Sequence, residues 1–211
     1  MLKQVAIKIM ARLTKSRVSR WASKPISTQK KQLNYLIKNA LNTSFGQAHN
    51  FSKIKNYDDF KNHIPVRDYE GLRKYFEQIK EGKKNVLWPG KPLYLAVTSG
   101  TTSGSKYIPI TKQSLPNHLN GAKIALLMYV AETGKVDFVN GKFIFIQGSP
   151  VLSKISGILT GRLSGISAHH IPFYMKKNML PSWSTNIIEE WENKIESIVK
   201  ETIEANMTII S

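Results

Sequence analysis

Two apolar runs, Leu93–Thr98 and Lys106–Ile110, are joined by a stretch built almost wholly of Ser, Thr and Gly. Alternating or continuous apolar runs of this length read as strands, and so short a connection must turn the chain back on itself. Gly100 and Gly104 allow positive φ there and let the backbone come close to an anion. Successive N–H groups in such turns form a nest for phosphate, and the hydroxyls of Thr98, Ser99, Thr101, Thr102 and Ser103 add neutral donors. Lys106 brings a point charge at the start of the second run. The pattern is not a Walker A loop: three residues separate Gly100 from Gly104 where four are required, and no Lys follows the second Gly. Nor is it a dinucleotide fingerprint, because a strand follows where a helix should. On composition alone the same letters also fit an ordinary Gly/Ser/Thr hairpin.

The surrounding pattern predicts an α/β fold: a helical N-terminal layer, then a mixed sheet with covering helices. Residues 2–21 read as an amphipathic helix whose stripe is Leu2, Val5, Ala6, Ile9, Met10 and Leu13. Pro25 precedes a helix capped by Ser27 or Thr28 that runs to about Leu41. A short helix is expected over 57–62, and Asp68 caps a helix over 69–80 that Gly82 ends. Ser114 opens a long helix through Glu132 that Gly134 closes, and Lys142–Gln147 reads as a buried strand. Gly148–Gly165 reads as loop, Asn186 as the cap of a final helix with Glu189 in its capping box, and Met207–Ile210 as a strand. The expected organisation is a basic helix over 1–24, followed by an incomplete lobe over 25–211 that stops within a strand.

Charge is concentrated at the start of the chain. Lys and Arg number 31 against 14 Asp and Glu, and no acid precedes Asp58. Such a segment docks on the body of the protein, makes a weak contact of residues 2–21 with an anionic membrane surface, or serves as a targeting peptide. There is no cysteine, so disulfides and thiolate chemistry are excluded. No apolar window reaches the length of a membrane span, and no nucleic-acid reading motif occurs, so a basic nucleic-acid or membrane-surface binding module ranks second.

The stretch Thr98–Lys106, with Asn42–Gly46, Ile54–Phe60, Ile64–Tyr69, Asn85–Gly90, Tyr107–Pro109, Asn117-His118, Gly148–Pro150 and Thr160–Gly165, resembles the auxin-responsive promoter family of acyl-acid–amino acid amido synthetases, in its bacterial branch. That family belongs to the adenylate-forming superfamily, and the resemblance implies the N-terminal part of its large lobe. It implies a cytoplasmic ATP-dependent acid–amino acid ligase: a carboxylate attacks the α-phosphate of ATP in the presence of Mg²⁺, and an amino acid amine then displaces AMP. The partners implied are a carboxylic acid and an amino acid. Ser99, Gly100, Thr101, Thr102, Ser103, Gly104 and, more weakly, Lys106 would carry the phosphate contacts. An acyl-CoA ligase shares this loop and is the alternative within the superfamily. The second nucleotide motif, the acidic ribose motif and the cap domain match no position here, so the chain alone is expected to be inactive.

Three further residues are candidates for substrate contact: Asn117 and His118 on the helix after the loop, and Arg162, which could grip a carboxylate bidentately. No metal-ligand set is expected, because His169-His170 has no third ligand at a fitting spacing.

Overall fold

The computed structural model describes residues 2–98 and 104–210. Its helices are α1 (Leu2–Ala22), α2 (Pro25–Ala40), α3 (Ser44–Ala48), α4 (Tyr57–His63), α5 (Tyr69–Lys80), α6 (Leu115–Thr133), α7 (Leu163–His169), α8 (Phe173–Lys176), α9 (Trp183–Asn186) and α10 (Trp191–Thr202). Its strands are β1 (Tyr94–Val97), β2 (Tyr107–Ile110), β3 (Lys142–Ile144), β4 (Ser153–Ile155), β5 (Ile158–Arg162), β6 (Met179–Leu180) and β7 (Met207–Ile210). The fold is mixed α/β, as the pattern predicts. The chain divides into two compact units. One comprises Val18–Leu115 and Ser153–Thr160; the other comprises Met1–Arg17, Pro116–Leu152 and Gly161–Ser211.

The first unit is built on a four-stranded sheet of order β2-β1-β5-β4. Pro109 has no N–H to give a second neighbour, which suits the edge position of β2. Helix α5 forms where local signals agree. The Asp68 side chain accepts from the Gly71 N–H at 2.8 Å, and Tyr75, Phe76 and Ile79 share the buried face. Gly82 ends the helix with φ +91°, its N–H reaching the Ile79 carbonyl while Lys83 N–H reaches that of Gln78. That is a Schellman closure. The buried face meets Val86, Leu95 and Ile158 in one core cluster. Side chains buried like Leu95 and Ile158 contribute about 1.5–3 kcal/mol each. Exposed pairs such as Glu70–Arg73 are screened by water and add little, so burial and not surface charge holds this unit together. A second cluster gathers Ile37, Ala40, Phe51 and Ile54, and Phe45 packs against both.

The hairpin β4–β5 falls within the stretch read as loop. Its two-residue turn, Ser156-Gly157, has φ +46° and +77°, the left-handed pair that lets strands twist correctly across a tight connection. Helix α2 also differs from expectation. It begins at Pro25 with Lys24 as cap and no side-chain cap bond, because proline's fixed φ and missing N–H suit a first turn.

The second unit carries a three-stranded sheet of order β6-β3-β7, with β3 parallel to both neighbours. The strand expected over Lys142–Gln147 is confined to Lys142–Ile144 and is half-buried, although Phe145 N–H still bonds the Leu180 carbonyl at 2.9 Å. Ala11 of α1 packs with Leu127, Val130 and Val136. This reverses the facing expected for α1: Leu2, Val5, Ile9, Met10 and Leu13 are exposed, and Ala11 is the buried residue of the helix. The segment expected as one helix from Asn186 is two. Ser182 caps α9, which ends at Asn186, and the Glu190 carboxylate caps α10 by accepting from the Glu192 and Asn193 N–H groups. A carboxylate at that position also favours the helix dipole, which is why Glu190 displaces Asn186 in the role.

Candidate functional site

The loop's stem is a rigid antiparallel pair. Tyr94 faces Ile110 and Val97 faces Tyr107. Two further bonds extend it, Leu93 N–H to the Ile110 carbonyl at 2.9 Å and Thr98 N–H to the Lys106 carbonyl at 3.0 Å. Leu95 and Ile110, each 1% exposed, root the two strands in the core. The pairing of the two strands therefore extends to Thr98 and Lys106. Ser99, Gly100, Thr101, Thr102 and Ser103 lie outside the described residues. Gly104 is described, with φ +78° and nothing among the described residues within 4 Å of where a side chain would begin. Its left-handed backbone is what a nest of N–H groups needs, and what a Cβ would disfavour.

Helix α5 braces the second strand of the stem. The Tyr69 hydroxyl accepts from the Tyr107 N–H at 3.0 Å, and the Tyr69 ring stacks on Phe76 with centroids 4.6 Å apart. The Lys106 ammonium sits 5.4 Å from the centre of the same Tyr69 ring, and Lys80 sits 4.9 Å from that of Tyr107. Both cations are thus held by aromatic faces and present their remaining hydration shell outward. Beside them the Arg73 side chain donates to Glu70 at 2.6 Å. That bond holds the Glu70 carboxyl below its ordinary range and raises the Arg73 guanidinium, so this acid stays ionised and paired. Tyr69 escaped the sequence reading as a site residue. The signal for it was its place in the Ile64–Tyr69 stretch that carries the family resemblance.

The substrate-contact candidates belong to the other unit. Asn117 and His118 are exposed on the first turn of α6. That helix is started by a reciprocal pair: Thr111 N–H donates to Ser114 Oγ at 2.9 Å and Ser114 N–H to Thr111 Oγ1 at 3.0 Å. Arg162 ends β5 and stands at the N-cap of α7. Its stem lies across Gly148, where a Cβ would come within 2.6 Å of Arg162 Cδ, and Ser164 Oγ accepts from the Gly148 N–H at 3.1 Å. Glycine at 148 is what gives Arg162 its path.

This second unit also contains a small cavity of about 60 Å³ beyond the ends of β3 and β6, lined among others by Phe145, Gln147, Met179, Trp183 and Asn186. Two of its lining residues, Ser182 and Asn186, are braced by hydrogen bonds. Glu201 accepts from Ser182 N–H, Ser182 Oγ and Thr185 Oγ1, and the buried Lys194 donates to the Asn186 carbonyl at 2.9 Å. Burial pushes the Glu201 carboxyl up, but those hydrogen bonds outweigh it and hold it below its ordinary range. Burial alone lowers Lys194. His169 accepts a structural role: its Nε2 pairs with the Pro150 carbonyl at 2.7 Å and its ring meets Trp183 edge-on. Among the described residues no three His, Cys, Asp or Glu side chains gather as a metal site, and no helix is long and apolar enough to cross a membrane.

The family described as the GH3 family N-terminal domain matches residues 14–189. The chain is 34% identical over 74 residues to the indole-3-acetic acid-amido synthetase GH3.15 of Arabidopsis thaliana, a match covering 34% of this chain and 12% of that protein. The solved structure of GH3.15 acyl acid amido synthetase superposes with a TM-score of 0.70 at 17% identity, over 85% of this chain and 32% of that one. The structure titled AtGH3.15 acyl acid amido synthetase in complex with 2,4-DB superposes at 0.58 and 20% identity, over 72% of this chain and 26% of that one. The chain therefore spans about a third of the length of the solved relative, and at these identities the superpositions speak for the fold.

Proposed function

Because this chain belongs to the GH3 family through its N-terminal domain, we propose that it supplies the phosphate-gripping part of an ATP-dependent acid–amino acid ligase. The observation that carries the reading is the stem: two core-rooted strands deliver a Ser/Thr/Gly turn that ends in a left-handed Gly104 and a Lys106 held over Tyr69. In the reaction a carboxylate oxygen bonds to the α-phosphorus of ATP as the bond to pyrophosphate breaks. An amino acid nitrogen then bonds to the acyl carbon as AMP leaves, and the amine proton passes to solvent. Ser99, Gly100, Thr101, Thr102, Ser103 and Gly104 would hold the β- and γ-phosphates through N–H and hydroxyl donors, and Lys106 would offset their charge. Catalysis of this kind rests on positioning, so a stem rooted in the core is as useful as the donors it carries. Asn117, His118 and Arg162 are proposed for the acid or the amine. Mg²⁺ in such chemistry is carried largely by phosphate oxygens and water, and the described residues offer it no carboxylate cluster. We place the organisation as a basic N-terminal helix over 1–24 followed by part of the adenylating lobe.

The test is nucleotide binding by the chain itself. Titration with ATP·Mg²⁺ and with pyrophosphate should give saturable binding that Ser99→Ala/Thr101→Ala/Thr102→Ala weakens by about tenfold or more, the loss of one to two kcal/mol expected for charge-assisted hydrogen bonds. Equal binding by the variant and the unsubstituted chain would remove the loop from the site.

A further inference from the structure

Helix α1 packs on its unit through a narrow seam and leaves its greasiest side in water. On a helix of about 3.6 residues per turn, Gln4, Ile7, Ala11 and Thr14 fall on one side. Those are the residues the structure covers, with Ala11 buried and Ile7 beside it against Leu127 and Val130. The opposite side carries Leu2, Val5, Ile9 and Leu13, which are 88%, 51%, 54% and 64% exposed. Exposed cations edge this stripe on both sides, Lys8 and Arg12 along one and Lys3 and Arg17 along the other. The helix contains no acid, and among the described residues Lys15 is its one cation with an ion-pair partner, Glu132 at 3.0 Å.

Four large aliphatic side chains in a row are costly in water and gain by entering an apolar medium. Cations on both borders require the surface of that medium to be negative. An anionic bilayer meets both conditions along the first three turns of such a helix lying in its plane. A protein partner would need an apolar groove with acids along both rims. The helix cannot span, because it is not apolar enough to cross a membrane. We propose that α1 is an in-plane anchor that lays the Leu2, Val5, Ile9 and Leu13 stripe into the headgroup boundary of an anionic membrane, with Lys3, Lys8, Arg12 and Arg17 at the phosphates.

The proposal stands apart from nucleotide binding and is tested without it. The 211-residue chain is sedimented with vesicles of phosphatidylcholine alone and of phosphatidylcholine with phosphatidylglycerol. Retention is expected on the anionic vesicles and should fall with added salt. Leu2→Ser/Val5→Ser/Ile9→Ser/Leu13→Ser and, separately, Lys3→Gln/Lys8→Gln/Arg12→Gln/Arg17→Gln should each lower the partition coefficient by about tenfold or more. A readout that disturbs the helix less uses the absence of native cysteine. An environment-sensitive dye on Ile9→Cys should shift to the blue on anionic vesicles, whereas the same dye on Thr14→Cys should not. The proposal is overturned if the chain is not retained, or if retention survives the serine substitutions, since net charge alone would then explain it. It is equally overturned if the stripe proves to join two copies, seen as a dimer that the serine variant dissociates without any vesicle retention.

Discussion

The backbone N–H of Tyr107 donates to the hydroxyl of Tyr69 at 3.0 Å, tying the second strand of the loop's stem to helix α5 across 38 positions of sequence. Tyr69→Phe keeps the ring that carries Lys106 and stacks on Phe76 but removes the acceptor. A half-buried N–H left unpaired costs about 1–3 kcal/mol. Thermal denaturation should register that loss, and hydrogen exchange at the Tyr107 amide should quicken while that of Leu95 stays slow. If the Tyr107 amide remains as protected as before, the brace is not what holds this strand.

Two glycines in helices should respond in opposite directions to alanine. At Gly46 a Cβ would lie 2.1 Å from the Ala40 carbonyl oxygen, which is backbone and cannot step aside. Gly46→Ala is expected to cost about 3 kcal/mol or more, in the range of severe overpacking. Gly121 stands within α6 with nothing inside 4 Å of the same position. Gly121→Ala should stabilise by about 0.5–1 kcal/mol through helix propensity. Chemical denaturation of the two variants measures both signs at once.

The turn at Ser156-Gly157 invites a stabilising change. Ser156 has φ +46°, a conformation asparagine tolerates better than serine, and Asn-Gly is the favoured pair for this turn. Ser156→Asn should add about 0.5–1 kcal/mol, whereas Gly157→Ala, at φ +77°, should cost about 1–2 kcal/mol. Unchanged melting temperatures in both would show that the hairpin does not limit stability.

Acid should loosen the second unit through Glu201. Its folded carboxyl lies below the ordinary value because hydrogen bonds from Ser182 and Thr185 outweigh burial. A lowered carboxylate stabilises fully above its unfolded pKa, and that contribution disappears as pH falls through the folded value. Stability followed from neutral pH downward should therefore decline below the ordinary glutamate range. Glu201→Gln should start lower, by about 1–3 kcal/mol, and show a shallower decline. A parallel decline in both proteins would place the acid sensitivity elsewhere.

What was legible in the sequence was whatever its neighbours decide. Helix α5 was readable to the residue, because the Asp68 cap, the spacing of Tyr75, Phe76 and Ile79 and the Gly82 stop all lie within one short segment. The stem was readable to within a residue at each end, for the same reason. Helix α1 was found but turned the wrong way. Its most hydrophobic stripe points one way, while the structure seats the small Ala11 against Leu127, Val130 and Val136. The β4–β5 hairpin is not legible because glycines at 157, 161 and 165 give the segment a loop-like composition, and Ser-Gly is a weaker turn signal than Asn-Gly. Gly104 and Lys106 are candidates that the sequence itself names for phosphate contact. Tyr69 is not, since its bond to Tyr107 depends on a strand far along the chain.

The two sheets also set an order in time. The β1–β2 pair joins neighbours in sequence, so it can close as soon as residues 94–110 are free of the ribosome. Strand β3, at 142–144, pairs with 179–180 on one side and with 207–210 on the other, both parallel. Parallel pairing over such separations defers its reward until the distant partner is made, and is slow for that reason. The loop's stem can thus stand finished while β3 waits, its edges open, for residues 207–210 to be synthesised.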